Sequence, residues 1–89
     1  MTLFKIVLIT GGTGSLGQQL ARMFLKHGYK VRIFSRNENL QHEMKEKFNN
    51  PMLKFFLGDV RDKSRLYRAM ENVDIVIHAA ALKHVDAGE

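Results

Sequence analysis

The sequence predicts an α/β fold, a doubly wound parallel sheet, on three observations. Four short runs of apolar, β-branched residues alternate with stretches in which apolar residues recur at helical spacing. The first run is apolar almost without interruption, as is typical of a strand covered on both faces. A glycine-rich turn joins this run directly to the first helical stretch. With right-handed crossovers and the usual order, we expect about four strands in the order 3-2-1-4 and three helices.

The first two strand–helix pairs occupy residues 4–48. Residues 4–9 predict the first strand, and the helix after the turn ends near His27-Gly28. The apolar face of that helix comprises Leu16, Leu20, Met23 and Phe24. Residues 31–34 predict the second strand. The second helix presents Leu40, Met44 and Phe48 on one face, with Asn37 or Asn39 as its cap.

Asn49-Asn50-Pro51 breaks the chain, and the alternation then repeats. Residues 53–57 predict the third strand, and residues 75–78 the fourth. Between them, Asp62 can cap a helix that carries Leu66, Met70 and Val73 at i, i+4 and i+7.

The length, 89 residues, allows one domain at most. The fourth strand would be an edge strand with an apolar run at residues 75–77, and such edges favour pairing or aggregation. We therefore expect residues 1–89 to be the N-terminal part of a larger domain, without its catalytic and substrate-binding parts.

Charge and composition exclude several classes of function. The net charge is +5, but the basic residues are scattered from Lys5 to Lys83, so we expect no nucleic-acid partner. The sequence contains no run of ~20 apolar residues, so we expect no membrane span. The first residues lack the pattern of a secretory signal, so we expect the protein in the cytoplasm. Cysteine is absent, and the dispersed histidines suggest no metal site. His27 fits a helix end, His42 the surface and His78 the core.

The strongest motif is the glycine cluster after the first strand. Gly11, Gly14 and Gly17 are spaced G-x-x-G-x-x-G. Gly11 would permit a tight turn, Gly14 would let a pyrophosphate approach the backbone, and Gly17 would let the helix pack closely on the sheet. The helix N-terminus would then bind the phosphates. The alternative is a merely flexible loop, which the strand before and the helix after disfavour.

A second signal lies 18 to 20 positions after Gly17, where Ser35, Arg36 and Asn37 follow the second strand. An acidic residue here would bind the ribose 2′-hydroxyl of NAD, whereas an arginine suits the 2′-phosphate of NADP and Ser35 can add a hydrogen bond. We therefore predict NADP. The alternative for Arg36 is an ordinary solvated arginine.

The ends of the third and fourth strands carry weaker signals. Asp59, followed by Val60, would lie near the adenine, or Asp59 would only close a turn and help to cap the next helix. The run Ala79-Ala80-Ala81 would leave room for the nicotinamide ribose, or serve tight packing, or both. Lys83 and His84 follow at the carboxyl end of the sheet, where each could also be an ordinary surface residue.

Together these stretches closely resemble the N-terminal part of extended short-chain dehydrogenases, which have a Rossmann-type fold. The branch they resemble most is that of the nucleotide-sugar dehydratases of polysaccharide biosynthesis, such as UDP-N-acetylglucosamine 4,6-dehydratases. The stretches are Thr10-Gly11-Gly12-Thr13-Gly14-Ser15-Leu16-Gly17, Ser35-Arg36, Gly58-Asp59-Val60-Arg61-Asp62 and Ala79-Ala80-Ala81-Leu82-Lys83-His84-Val85. The last of these narrows the resemblance to this branch. The resemblance covers essentially the whole chain, but the chain would correspond to only the first quarter to third of such an enzyme.

The resemblance implies a role for each matched position. Residues 13–16 (Thr13, Gly14, Ser15 and Leu16) would lie along the pyrophosphate. Ser35, Arg36 and residues 37–40 would surround the 2′-phosphate end. Asp59 and Val60 would flank the adenine, Ala79 would face the cofactor, and Lys83 would reach both the cofactor and a UDP-N-acetylglucosamine-like substrate. In this family the sugar C4 gives a hydride to NADP, water is eliminated across C5 and C6, and the hydride returns to C6.

The chain also departs from the family pattern. The family uses a Tyr-x-x-x-Lys pair for acid–base chemistry, but Ile33 follows Tyr29 at this spacing and Glu71 follows Tyr67. We therefore expect no catalytic residue in this chain and no activity from residues 1–89 alone. The alternatives are a related epimerase, a non-catalytic redox-sensing module, or a truncated product that never folds stably. We further expect the full-length protein to be a homo-oligomer.

Overall fold

A computed structural model of the protein describes residues 4–79. Strands and helices alternate in this part of the chain, as predicted. The elements are β1 (Ile6–Thr10), α1 (Ser15–Lys26), β2 (Lys30–Ser35), α2 (Glu38–Phe48), β3 (Leu53–Leu57), α3 (Lys63–Ala69) and β4 (Ile75–His78). Ala80, Ala81, Lys83 and His84 lie outside the described residues, so their predicted roles stay predictions.

The strands form one parallel sheet in the order β3-β2-β1-β4, which confirms the predicted topology. Val7 of β1 is in register with Val31 of β2 and Ile75 of β4, and Val31 is in register with Leu53 of β3. All four strands therefore end at the same edge of the sheet. The exposed apolar edge is also present, since Val76 of β4 is 36% exposed.

The core lies on both faces of this sheet. On one face, Val7, Ile9 and Ile33 pack with Ala21 of α1 and Met44 of α2. On the other face, Leu8 and Phe34 pack with Ala69 of α3. Helices α1 and α2 thus cover one side and α3 covers the other, which is the doubly wound arrangement.

The predicted apolar faces of α1 and α2 were partly wrong. Met23 of α1 is 46% exposed, because the small residues Gly17 and Ala21 face the interior and bring the helix close to its neighbours. In α2, Leu40 is 40% exposed, and the buried positions are Gln41 and Met44. Gln41 occupies the inward position because its side chain finds hydrogen-bond acceptors at the end of the sheet.

The boundaries of α2 and α3 show which cap predictions hold. The side chain of Asn37, rather than that of Asn39, caps α2 by accepting from the amide of Leu40 at 3.0 Å. Asp62 caps α3, as predicted. This helix ends at Ala69, so Met70 is its C-cap and Val73 lies beyond it, although both still pack against Leu8 and Phe34.

The C-terminus of α1 agrees with the prediction for His27. Its Nδ1 lies 2.8 Å from the carbonyl oxygen of Met23, and Gly28 follows with a φ of 85°. Within residues 4–79, the helices are too short or too polar to cross a membrane.

Candidate cofactor-binding site

The loop between β1 and α1 begins at Gly11. Its φ of 68° lies in the left-handed region, where a glycine avoids the steric cost of a side chain. The Gly11 amide donates to the carbonyl oxygen of Phe34 at 2.8 Å, which ties the loop to the neighbouring strand β2. The backbone therefore turns sharply at the carboxyl end of β1.

Gly12 and Gly17 lie where a side chain would come too close to neighbouring atoms. A Cβ on Gly17 would lie 2.4 Å from the Cα of Gly12, and a Cβ on Gly12 would lie 2.7 Å from the Cδ1 of Ile33. The close packing predicted for Gly17 is present, and its nearest contact is the loop backbone at Gly12, while Gly12 itself packs on Ile33 of the sheet. Sequence reasoning missed Gly12, although its place next to Gly11 was a signal.

The N-terminus of α1 is open to an anion. Gly14 is the N-cap, no side chain of the described residues caps this end, and the first turn contains no acidic residue. The nearest atom to a Cβ built on Gly14 is 3.8 Å away, so the backbone can be approached here. Unpaired amides and the helix dipole favour a phosphate at such an end. Ser15 is exposed, and Leu16 is half-buried.

The end of β2 places Ser35 and Arg36 side by side. Ser35 is 8% exposed, whereas the side chain of Arg36 is 72% exposed. The guanidinium of Arg36 makes one contact with Asp59, at 3.5 Å. The side-chain oxygen of Asn37 is used by the cap of α2, so Asn37 lies at the predicted place but with a structural role in addition.

Asp59 lies two residues beyond the end of β3, and Arg61 makes most of its hydrogen bonds. Its carboxylate accepts from the Arg61 amide at 2.9 Å and from the Arg61 guanidinium at 2.8 Å. These two kinds of hydrogen bond, with a smaller contribution from the charge of Arg36, keep the pKa of Asp59 well below its usual range. Its own carbonyl accepts from the Asp62 amide. The turn-closing alternative is therefore realised, and Arg61 is a residue that sequence reasoning missed.

An open cleft of about 1070 Å³ lies along the carboxyl edge of the sheet and joins these features. It brings together seven predicted site residues. They are Gly11, Thr13, Ser35, Arg36, Asn37, Asp59 and Val60. The predicted residues Gly14, Ser15, Leu16, Gly17 and Ala79 are not part of its lining. Ala79 is buried.

His78 also lines this cleft, so the prediction of a core histidine was wrong. It is the last residue of β4, and its side chain therefore lies at the open end of the sheet. Its Nδ1 is 2.7 Å from the hydroxyl of the buried Thr10 at the end of β1. Since His42 is exposed and lies 3.3 Å from Glu46, its predicted surface position is confirmed.

Three curated relatives resemble this chain strongly. A Campylobacter jejuni protein named UDP-N-acetylglucosamine 4,6-dehydratase (inverting) is 52% identical over 96% of the chain and 26% of its own length. A Methanocaldococcus jannaschii protein named as an uncharacterized membrane protein is 49% identical over 91% of the chain and 25% of its own length. A Rickettsia conorii protein named UDP-glucose 4-epimerase is 49% identical over 96% of the chain and 26% of its own length. The chain thus spans about a quarter of the length of these relatives.

A solved structure has the same fold as this chain. A short-chain dehydrogenase/reductase family oxidoreductase from Burkholderia thailandensis superposes with a TM-score of 0.77 at 30% identity, over 84% of this chain and 31% of that one. Residues 7–89 match the family described as "Polysaccharide biosynthesis protein". The predicted resemblance is confirmed, and the chain belongs to this polysaccharide biosynthesis protein family.

Proposed function

We propose that residues 1–89 form the NADP-binding segment of a nucleotide-sugar 4,6-dehydratase that acts on a UDP-N-acetylglucosamine-like substrate. The observation that carries the proposal is the cleft, which joins the glycine loop to Ser35 and Arg36 along the carboxyl edge of the sheet. Ligands of doubly wound sheets bind at this edge. The names of the relatives supply the substrate class.

The residues present fit a dinucleotide. The open backbone at Gly14 and the uncapped start of α1 suit a pyrophosphate. The close contact between Gly17 and Gly12 brings that helix end up against the loop. From there the cleft continues past the ends of β2 and β3, where the adenosine half of the cofactor would lie, with Val60 exposed beside it. When bound, the cofactor would accept and return a hydride.

The preference for NADP rests on Arg36. Its guanidinium is mostly exposed, and its only ion pair within residues 4–79 is the 3.5 Å contact with Asp59. Arginine binds phosphate through paired, charge-assisted hydrogen bonds, so a 2′-phosphate is its natural partner. Binding titrations of NADPH and NADH to the full-length protein test this assignment.

We expect Arg36→Asp to weaken NADPH binding by roughly 10- to 100-fold and to leave NADH binding nearly unchanged, because a charge-assisted hydrogen bond contributes ~1.5–3 kcal/mol. Arg68→Asp makes the same charge change at an exposed position of α3 outside the cleft, and should not alter the preference. An unchanged preference in Arg36→Asp would refute the assignment.

The reaction is tested by incubating the full-length protein with UDP-N-acetylglucosamine and measuring the product mass. Loss of one water supports the dehydratase. The relative named UDP-glucose 4-epimerase favours a second candidate, which would change the configuration at C4 without a change in mass. Cofactor binding with neither loss of water nor a change of configuration at C4 would instead indicate a redox-sensing module. We also propose a cytoplasmic homo-oligomer, and expect residues 1–89 alone to be inactive in the same assay.

A further inference from the structure

Gln41 is a buried polar residue to which neither the sequence pattern nor the relatives assign a role. It lies in the first turns of α2 and is 8% exposed. Its Nε2 donates to the Ser35 hydroxyl at 2.9 Å and to the Phe56 carbonyl at 3.0 Å, and it lies 3.4 Å from the Ser35 carbonyl. One amide thus connects the carboxyl ends of β2 and β3.

The two backbone carbonyls determine how this amide is oriented. Both can only accept, so the nitrogen of Gln41 and not its oxygen must face them. The same nitrogen lies at 2.9 Å from the Ser35 Oγ, and the Oγ must therefore accept this hydrogen bond.

Accepting from Gln41 leaves Ser35 as a donor. A hydroxyl has one hydrogen to donate, and the amide nitrogen cannot accept it, because its lone pair is delocalised into the amide carbonyl group. Among residues 4–79 the Ser35 hydroxyl has Gln41 as its side-chain partner, and Ser35 lines the cleft directly beside Arg36. A hydrogen bond accepted at the oxygen also polarises the O–H group and strengthens the bond that it donates.

We propose that Gln41 is a positioning residue that holds the Ser35 hydroxyl as a donor to the ribose 2′-phosphate, and so contributes to the selection of NADP over NAD. The inference rests on the proposed NADP-binding function. Phosphate oxygens at neutral pH mainly accept hydrogen bonds, so a Ser35 hydroxyl oriented to donate, next to the Arg36 guanidinium, matches them. A 2′-hydroxyl both donates and accepts, and gains less from this arrangement.

The test is a double-mutant cycle on the full-length protein with Gln41→Met, Ser35→Ala and the double variant, read out as binding of NADPH and of NADH. Each single change should weaken NADPH binding roughly fivefold to tenfold and NADH binding less than twofold. In the Ser35→Ala background, Gln41→Met should have no further effect on NADPH, because Gln41 acts through Ser35. Lys45→Ala, at an exposed position of the same helix, is the control and should leave both affinities unchanged.

Several results would overturn the proposal. A purely structural role of Gln41 would weaken both cofactors equally. Ser35→Ala leaves the bond from Gln41 to Phe56 in place, so this variant can still refute the proposal if Gln41→Met does not fold. If Ser35→Ala keeps the full NADP preference while Arg36→Asp loses it, this inference fails and the proposed function stands. If Arg36→Asp also keeps the preference, the proposed function itself fails.

Discussion

Gly17→Ala should destabilise the protein through a contact between two backbones. The added Cβ would lie 2.4 Å from the Cα of Gly12 and 2.6 Å from its carbonyl carbon and oxygen. No rotamer change relieves a contact with backbone atoms, so the helix or the loop must move by about 1 Å. Because the contacts are with backbone atoms, the cost lies in the upper part of the range for overpacking, ~2–3 kcal/mol, and the better helix propensity of alanine offsets ~1 kcal/mol. We therefore expect the free energy of unfolding to fall by about 1–2 kcal/mol.

Urea unfolding of the full-length protein, combined with NADPH titration, measures both consequences. Gly14→Ala is the matched control, since its Cβ would meet its nearest atom only at 3.8 Å and its φ of −78° suits any residue. We expect Gly14→Ala to change stability by less than ~1 kcal/mol and still to weaken NADPH binding, because the Cβ would occupy the place proposed for the pyrophosphate. Gly17→Ala should lose both stability and affinity. A Gly17→Ala protein as stable as the wild type would refute the contact argument.

Two further predictions concern the caps and charges around the cleft. Asn37→Ala removes the cap of α2 and should lower the free energy of unfolding by ~1 kcal/mol in urea titrations, whereas Asn39→Ala, which removes no cap, should change it little. Arg61→Ala should raise the pKa of Asp59 part of the way to its ordinary value, because the guanidinium hydrogen bonds are lost while the backbone amide at position 61 still donates; carboxyl NMR titration measures this. Since the folded-state pKa is depressed, the stabilisation from this carboxylate is present above its ordinary pKa and is lost as pH falls through the folded value. An unchanged Asp59 titration in Arg61→Ala would contradict the assigned cause.

The strand order and the glycine turn could be predicted because both depend on local patterns. Buried parallel strands are apolar in sequence, and the turn at Gly11 needs a residue that tolerates a φ of 68°. The helix faces were harder, because Leu40 and Gln41 are neighbours and only their surroundings decide which of them turns inward. Leu40 has the more apolar side chain, but Gln41 finds the acceptors of Ser35 and Phe56 at the end of the sheet.

Arg61 and His78 could not be identified from the sequence for a related reason. Each has a partner that the sequence does not indicate. A tight turn brings Arg61 to Asp59, and the pairing of two strand ends brings His78 to Thr10. His78 meets Thr10, which is 68 positions away along the chain, only because β4 pairs with β1 in parallel register. Its place in an apolar strand therefore favoured a core histidine, whereas the register puts its side chain at the open edge of the sheet.

The contacts of Asp59 explain how Arg36 remains available to a phosphate although a carboxylate lies beside it. Arg61 donates to Asp59 from its backbone amide and from its guanidinium at 2.9 and 2.8 Å, whereas Arg36 approaches the same carboxylate only to 3.5 Å. Charge-assisted bonds are strongest at ~2.7–2.9 Å, so Arg61 supplies most of the compensation for this acid. A second acid of the cleft, Glu38, lies in the first turn of α2, where the helix dipole favours a negative charge. A 2′-phosphate would therefore compete for Arg36 with one long and exposed contact, and the arginine would lose little by exchanging it.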